Sequence, residues 1–218
     1  MSIEKIHLNK LLKLMFLPEN ELITALRVDI RQEFSKKVGE SKAGGDFYMP
    51  FWSDAKKHVL GEIDLSEQTS HRITQLAGRK KIYSDLEIGF LNLWKRGDNQ
   101  NVHLLPIKPK GYLEIDDKNL LVKVENLMAI SIDGHERLGY PYWFPNPTLC
   151  EEAARIGLWI MGEALPEHNK ENMRIFDIIR SDFYSLKNCP LLGDENEILL
   201  QNFNRILNKR RELLMEYQ

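Results

Sequence analysis

Apolar positions recur at two spacings along this chain, and the change from one to the other divides it. In "ENELITALRVDIRQEFSKKVG", Leu22, Leu26, Ile30 and Phe34 step by four, acids open the run, lysines close it and Gly39 follows. That pattern predicts a helix with one buried face. Upstream, Ile3, Ile6, Leu11, Leu14 and Leu17 stand near helical spacing, with Lys5, Lys10 and Lys13 on the polar side. A basic amphipathic helix of this kind packs on its own domain, stays a loose arm, or docks on a membrane or partner.

The segment "GESKAGGD", 39–46, reads as a loop. Aromatics then flank Pro50 in "FYMPFWSDAKKHVLG", which continues as a short helix ended by Gly61. Two further helical patterns follow. "SEQTSHRITQLAG" closes at Gly78, and "SDLEIGFLNLWKRG" carries the capping box Ser84-x-x-Glu87.

From 101 to 144 the period shortens. "VHLLPIKPKGYLEI", "NLLVKVENLMAISI" and "ERLGYPYWF" are rich in β-formers and separated by Asp116-Asp117 and Asp133-Gly134. They predict a three- or four-stranded antiparallel meander, interrupted at Pro106 and Pro109. Helical spacing then returns three times. "TLCEEAARIGLWIMGEAL" starts with Thr148-x-x-Glu151 and offers Ala153, Ala154, Gly157 and Gly162 as a close-packing surface. "NKENMRIFDIIRSDFYSL" repeats Ile175, Ile178, Ile179 and Phe183, and the last run repeats Leu199, Phe203, Ile206, Leu213 and Tyr217.

The plan is α+β and predominantly helical: N-terminal helices, a central small antiparallel meander and a C-terminal three-helix section. Residues 1–147 and 148–218 are expected to pack into one domain.

Bulk composition narrows the classes. The 218 residues are 43% hydrophobic and 28% charged, as in an ordinary folded domain rather than a disordered chain. Thirty basic against 32 acidic side chains give a formal charge of −2, which excludes a dedicated polybasic binder but leaves room for a local basic patch. Cys150 and Cys189 lack CxxC spacing and read as buried thiols of a reducing compartment. Lys10 and Lys13 interrupt any secretory core, and no run is long enough for a bilayer span, so a cytoplasmic location is expected.

The densest local signal is "YPYWFPNP", 140–147. Its prolines restrict themselves and the residues before them, so the segment predicts a stiff corner from the last strand into a helix. If it is extended, Tyr140, Tyr142, Trp143 and Phe144 alternate sides, two inward and two outward. The outward rings are then candidates for partner docking, or for base stacking.

Catalytic signals are thin. Asp116-x-Lys118, with Glu125 nearby, is the minimum form of a metal-dependent nuclease set, although Asp-Asp-Lys-Asn is also an ordinary polar turn. Glu62 and Asp64 are candidates for the missing acid, or simply loop residues. The six histidines are scattered without metal-ligand spacing, and no nucleotide-binding glycine motif or nucleophile elbow occurs. No cofactor and no resident metal are expected; Mg²⁺ or Mn²⁺ enters only with the nuclease alternative. Basic runs occur at Lys36-Lys37, Lys56-Lys57, Arg79-Lys80-Lys81 and Lys209-Arg210-Arg211. The last two are the candidate phosphate contacts, with solvated helix ends as the plainer account.

The expectation drawn from these residues is a non-catalytic accessory subunit of an intracellular multiprotein assembly. It would bind a larger protein through Tyr142, Trp143, Leu199, Phe203 and Leu213, with nucleic-acid association through a basic patch. A setting in bacterial DNA maintenance or defence rests on no residue here. The alternative is a divergent metal-dependent nuclease built on Asp116 and Lys118.

Overall fold

The two spacings become layers of helices around two mixed sheets. The computed structural model describes residues 5–37, 47–97, 99, 101–106, 108–115 and 120–216. A three-stranded sheet orders as β1 (Lys5–His7), β4 (Leu120–Val124) and β3 (Gly111–Ile115). A five-stranded sheet orders as β2 (Val102–Leu104), β5 (Met128–Ile132), β6 (His135–Tyr142), β7 (Met173–Asp177) and β8 (Asp182–Tyr184). The helices are α1 (Leu8–Phe16), α2 (Glu19–Lys37), α3 (Tyr48–Val59), α4 (Leu65–Gln75), α5 (Lys80–Lys95), α6 (Glu151–Ala164) and α7 (Glu195–Met215). The α+β class therefore stands. None of the described helices is long and apolar enough to cross a membrane.

The five-stranded sheet separates two apolar cores. On one face Leu138, Tyr140, Tyr142, Met173 and Ile175 pack with α1, α2, α6, α7 and the small sheet. On the other, Met128, Ile130 and Phe176 pack with α3 and α5, including Trp52, Tyr83 and Phe90. Alternate residues of one strand thus serve different cores, as period-two geometry requires. Helix α6 is buried almost all round. Its small residues have the use their composition suggested: a Cβ on Gly157 would lie 2.4 Å from the Ile175 side chain.

The meander splits between the sheets. β3–β4 and β5–β6 are antiparallel hairpins, but they join different sheets. The Asp133-Gly134 turn has positive φ at both residues, 51° and 81°, the conformation a two-residue hairpin demands. The Asp116-Asp117 turn and the 39–46 loop lie outside the described residues.

Three local expectations are corrected at helix starts. The N-terminal helix begins only at Leu8, because Lys5–His7 pairs in parallel with Leu121–Lys123; α1 then buries Leu8, Leu11, Leu12 and Leu14 in the chain's own core. Ser84 caps nothing, since α5 starts at Lys80, after a 3-10 turn at Ala77–Arg79. Thr148 does not cap α6 either; its hydroxyl accepts from Arg180 Nη2, and Cys150 stands at the N-cap.

The largest correction is at 173–184, where strands replace the second C-terminal helix. The run "MRIFD" is buried at alternate positions, and β6 offers it a free edge. Parallel pairing of β6 with β7 needs a crossover, which α6 supplies. Among the described residues the C-terminal section therefore holds two α-helices, α6 and α7, and two strands. Of the cysteines, Cys189 is buried as expected, but Cys150 is exposed.

Candidate functional site

The aromatic corner lies where the two cores meet, and all four rings are used inside the chain. Tyr140 and Tyr142 belong to the first core. Trp143 belongs to the second, stacked on Tyr48 with ring centroids 5.3 Å apart. Phe144 meets Tyr142 edge-on at 5.4 Å, and Lys13 Nζ stands 4.8 Å from its centroid. The expected pair of outward rings is therefore absent; two cores, not one, compete for the side chains.

Polar wiring fixes the path of the corner. Tyr142 Oη donates to Pro147 O at 2.7 Å, ahead of α6. Arg180 Nη1 donates to Phe144 O at 2.8 Å and to the buried Asp177 at 3.2 Å, while Nη2 donates to Pro145 O. Asn146 donates to Glu21 on α2, and the Asn146–Pro147 peptide is cis. Burial pushes the Asp177 carboxyl above its ordinary range, with Arg180 pulling the other way.

Beside this corner, at the seam of the cores, lies a half-open cavity of about 120 Å³. Its apolar walls are Trp143, Met49 and Pro141; its polar walls are His7, Asn9, Glu125, Asn126 and Tyr140. Tyr140 Oη accepts from Asn9 N at 3.2 Å, and its own proton has no acceptor among the described residues. Burial raises the Tyr140 phenol well above its ordinary range, so that proton stays on at neutral pH. Glu125 accepts from Tyr112 Oη at 2.7 Å at the rim, which raises the Tyr112 phenol. Trp52 Nε1 donates to Asn126 O at 2.7 Å, and Asn126 holds φ of 64°. The lining thus combines a phenol, a carboxylate-bearing residue and an aromatic wall. It falls below the ~300 Å³ at which small-molecule pockets usually begin, and its scale is that of a single side chain.

The other candidates are dispersed. Leu199, Phe203 and Leu213 are buried in the first core, as is Tyr142. Packing of α7 within its own chain consumes the face that was expected to meet a partner, and of the five candidates only Trp143 lines the cavity. Asp116 and Lys118 lie outside the described residues. Glu125 is bound to Tyr112, and Asp64 accepts from Glu67 N at 2.9 Å as the N-cap of α4. Among the described residues no three His, Cys, Asp or Glu side chains gather as a metal set.

The basic runs also part. Lys80 and Lys81 are exposed, Lys81 pairing with Asp85 at 2.7 Å, and Arg79 lies over the Phe47 ring at 4.4 Å. Lys209 pairs with Glu19 at 3.2 Å and Arg210 pairs with Glu33, so these two clamp α7 onto α2, while Arg211 is exposed. Sequence reasoning missed His7, Asn9 and Met49 as neighbours of the aromatic corner; no local spacing signals them, since Asn9 and Tyr140 are 131 positions apart.

Comparison with protein families, with curated proteins and with solved structures gives no match.

Proposed function

We propose that the chain is a non-catalytic accessory subunit of an intracellular assembly, and that the seam cavity receives one side chain of a larger protein partner. The observation that carries this reading is the cavity itself: it is lined by the apolar Trp143, Met49 and Pro141 together with Glu125 and Tyr140, whose hydroxyl proton has no acceptor among the described residues. Buried aromatic walls ringed by a few polar groups are where interfaces concentrate their binding energy. The expected result is direct. A photo-crosslinking amino acid at Met49, in the native host, yields one discrete protein adduct, and the same group at the exposed Glu62 does not. Identical adducts from both positions would remove the cavity from the account.

A further inference from the structure

Arg137 and Arg174 stand on one face of the five-stranded sheet, on adjacent strands. The parallel register sets Gly139 opposite Arg174, and residues two apart on a strand share a face. Arg137 is thus the diagonal neighbour of Arg174, and the position between them on β6 carries no side chain. A Cβ on Gly139 would fall 2.2 Å from the Phe176 ring, which closes the strip on its other side. Both arginines are half-buried.

Backbone carbonyls, not carboxylates, hold them. Arg137 Nη1 donates to Glu136 O at 2.7 Å; Arg174 Nη1 donates to Glu171 O at 2.6 Å and Met173 O at 2.7 Å. Among the described residues, Nε and Nη2 of both have no acceptor, and no carboxylate lies within ion-pair distance of either. Elsewhere in the molecule Arg72, Arg155, Arg180 and Arg210 each meet a carboxylate. Burial and then the charge of Arg137 pull the Arg174 guanidinium below its ordinary value, with Glu171 opposing more weakly. Two cations set side by side, with their forks fixed and donors unused, are an unfavourable arrangement that an oxyanion relieves.

We infer that Arg137 and Arg174 form a binding site for a phosphate group, carried either by nucleic acid or by a small phosphorylated molecule. The site is independent of the seam cavity. It also differs from Arg79-Lys80-Lys81 and Lys209-Arg210-Arg211, the two basic runs named as candidate phosphate contacts.

The test compares wild type with the Arg137→Gln, Arg174→Gln double variant in thermal unfolding, using inorganic phosphate against chloride at equal ionic strength. Phosphate raises the wild-type midpoint; the double variant loses that gain and, freed of the repulsion, is at least as stable as wild type in chloride. Arg174→Lys, which keeps the charge but not the fork, retains only part of the gain. A short single-stranded oligonucleotide, followed by fluorescence anisotropy, separates the sources. If nucleic acid supplies the phosphate, the oligonucleotide binds wild type at least ~10-fold more tightly than the double variant, with a steep loss on added salt. Phosphate stabilisation without oligonucleotide binding assigns a small molecule. Equal phosphate gains in both proteins, no gain in wild type, or a double variant less stable in chloride would each overturn the site.

Discussion

Glu195→Ala is expected to lower stability by about 3–5 kcal/mol, the usual cost of removing one partner of a buried ion pair. In a domain of this size that is roughly 10 °C in Tm. Glu195 is 2% exposed at the first turn of α7. Its carboxylate accepts from Leu192 N at 2.7 Å, Gly193 N at 3.0 Å and the buried Arg155 Nη1 at 3.3 Å. It therefore fastens the loop before α7, the start of α7 and the middle of α6 at once. Truncation leaves two backbone donors unmet and Arg155 with only the half-exposed Asp194. Glu197→Ala, two residues on and exposed, should change stability by no more than about 0.5 kcal/mol. Urea denaturation of the two variants checks both values.

Arg180→Ala is the second large effect, about 3 kcal/mol at neutral pH, and its size depends on pH. The change strands the Asp177 carboxylate and frees the carbonyls of Phe144 and Pro145, so the corner between β6 and α6 loses its clip. Asp177 already binds its proton more tightly folded than unfolded, because burial outweighs the help of Arg180. A group raised in the folded state contributes fully below its unfolded pKa, and the contribution is lost as pH rises through the folded value. Without Arg180 the folded value climbs further. The destabilisation measured by denaturation should therefore be smaller near pH 4 than near pH 7, and Asp177→Asn in the Arg180→Ala background should flatten that dependence. A destabilisation that grows towards low pH would contradict this account of the corner.

The sequence was legible where one face decides one core. Leu22, Leu26 and Ile30 announced α2, whose buried face serves one core, and Asp133-Gly134 announced its hairpin because a two-residue turn is a local signal. Legibility failed where a strand serves two cores. In β7, Met173 and Ile175 face one core and Phe176 the other, so the apolar run looks helical until β6 is known to be waiting beside it. The capping boxes failed for a related reason: Thr148 is diverted to Arg180 by the folded corner, and a 3-10 turn moves the start of α5 ahead of Ser84. The stiff aromatic corner was legible; only its pair of outward rings was misread, since alternation assumed one core. The seam cavity and the paired arginines were invisible, because β1, α3, the β4–β5 turn and β6 meet only through tertiary register.

Copurification from the native host, with and without nuclease treatment, tests the central claim most directly. The account predicts a larger protein retained in fixed stoichiometry after nuclease treatment by the wild-type chain, and lost by a folded Met49→Glu variant that places a charge in the cavity mouth. A chain that purifies alone, and that cleaves nucleic acid when Mg²⁺ or Mn²⁺ is added, would contradict it and return attention to Asp116 and Lys118.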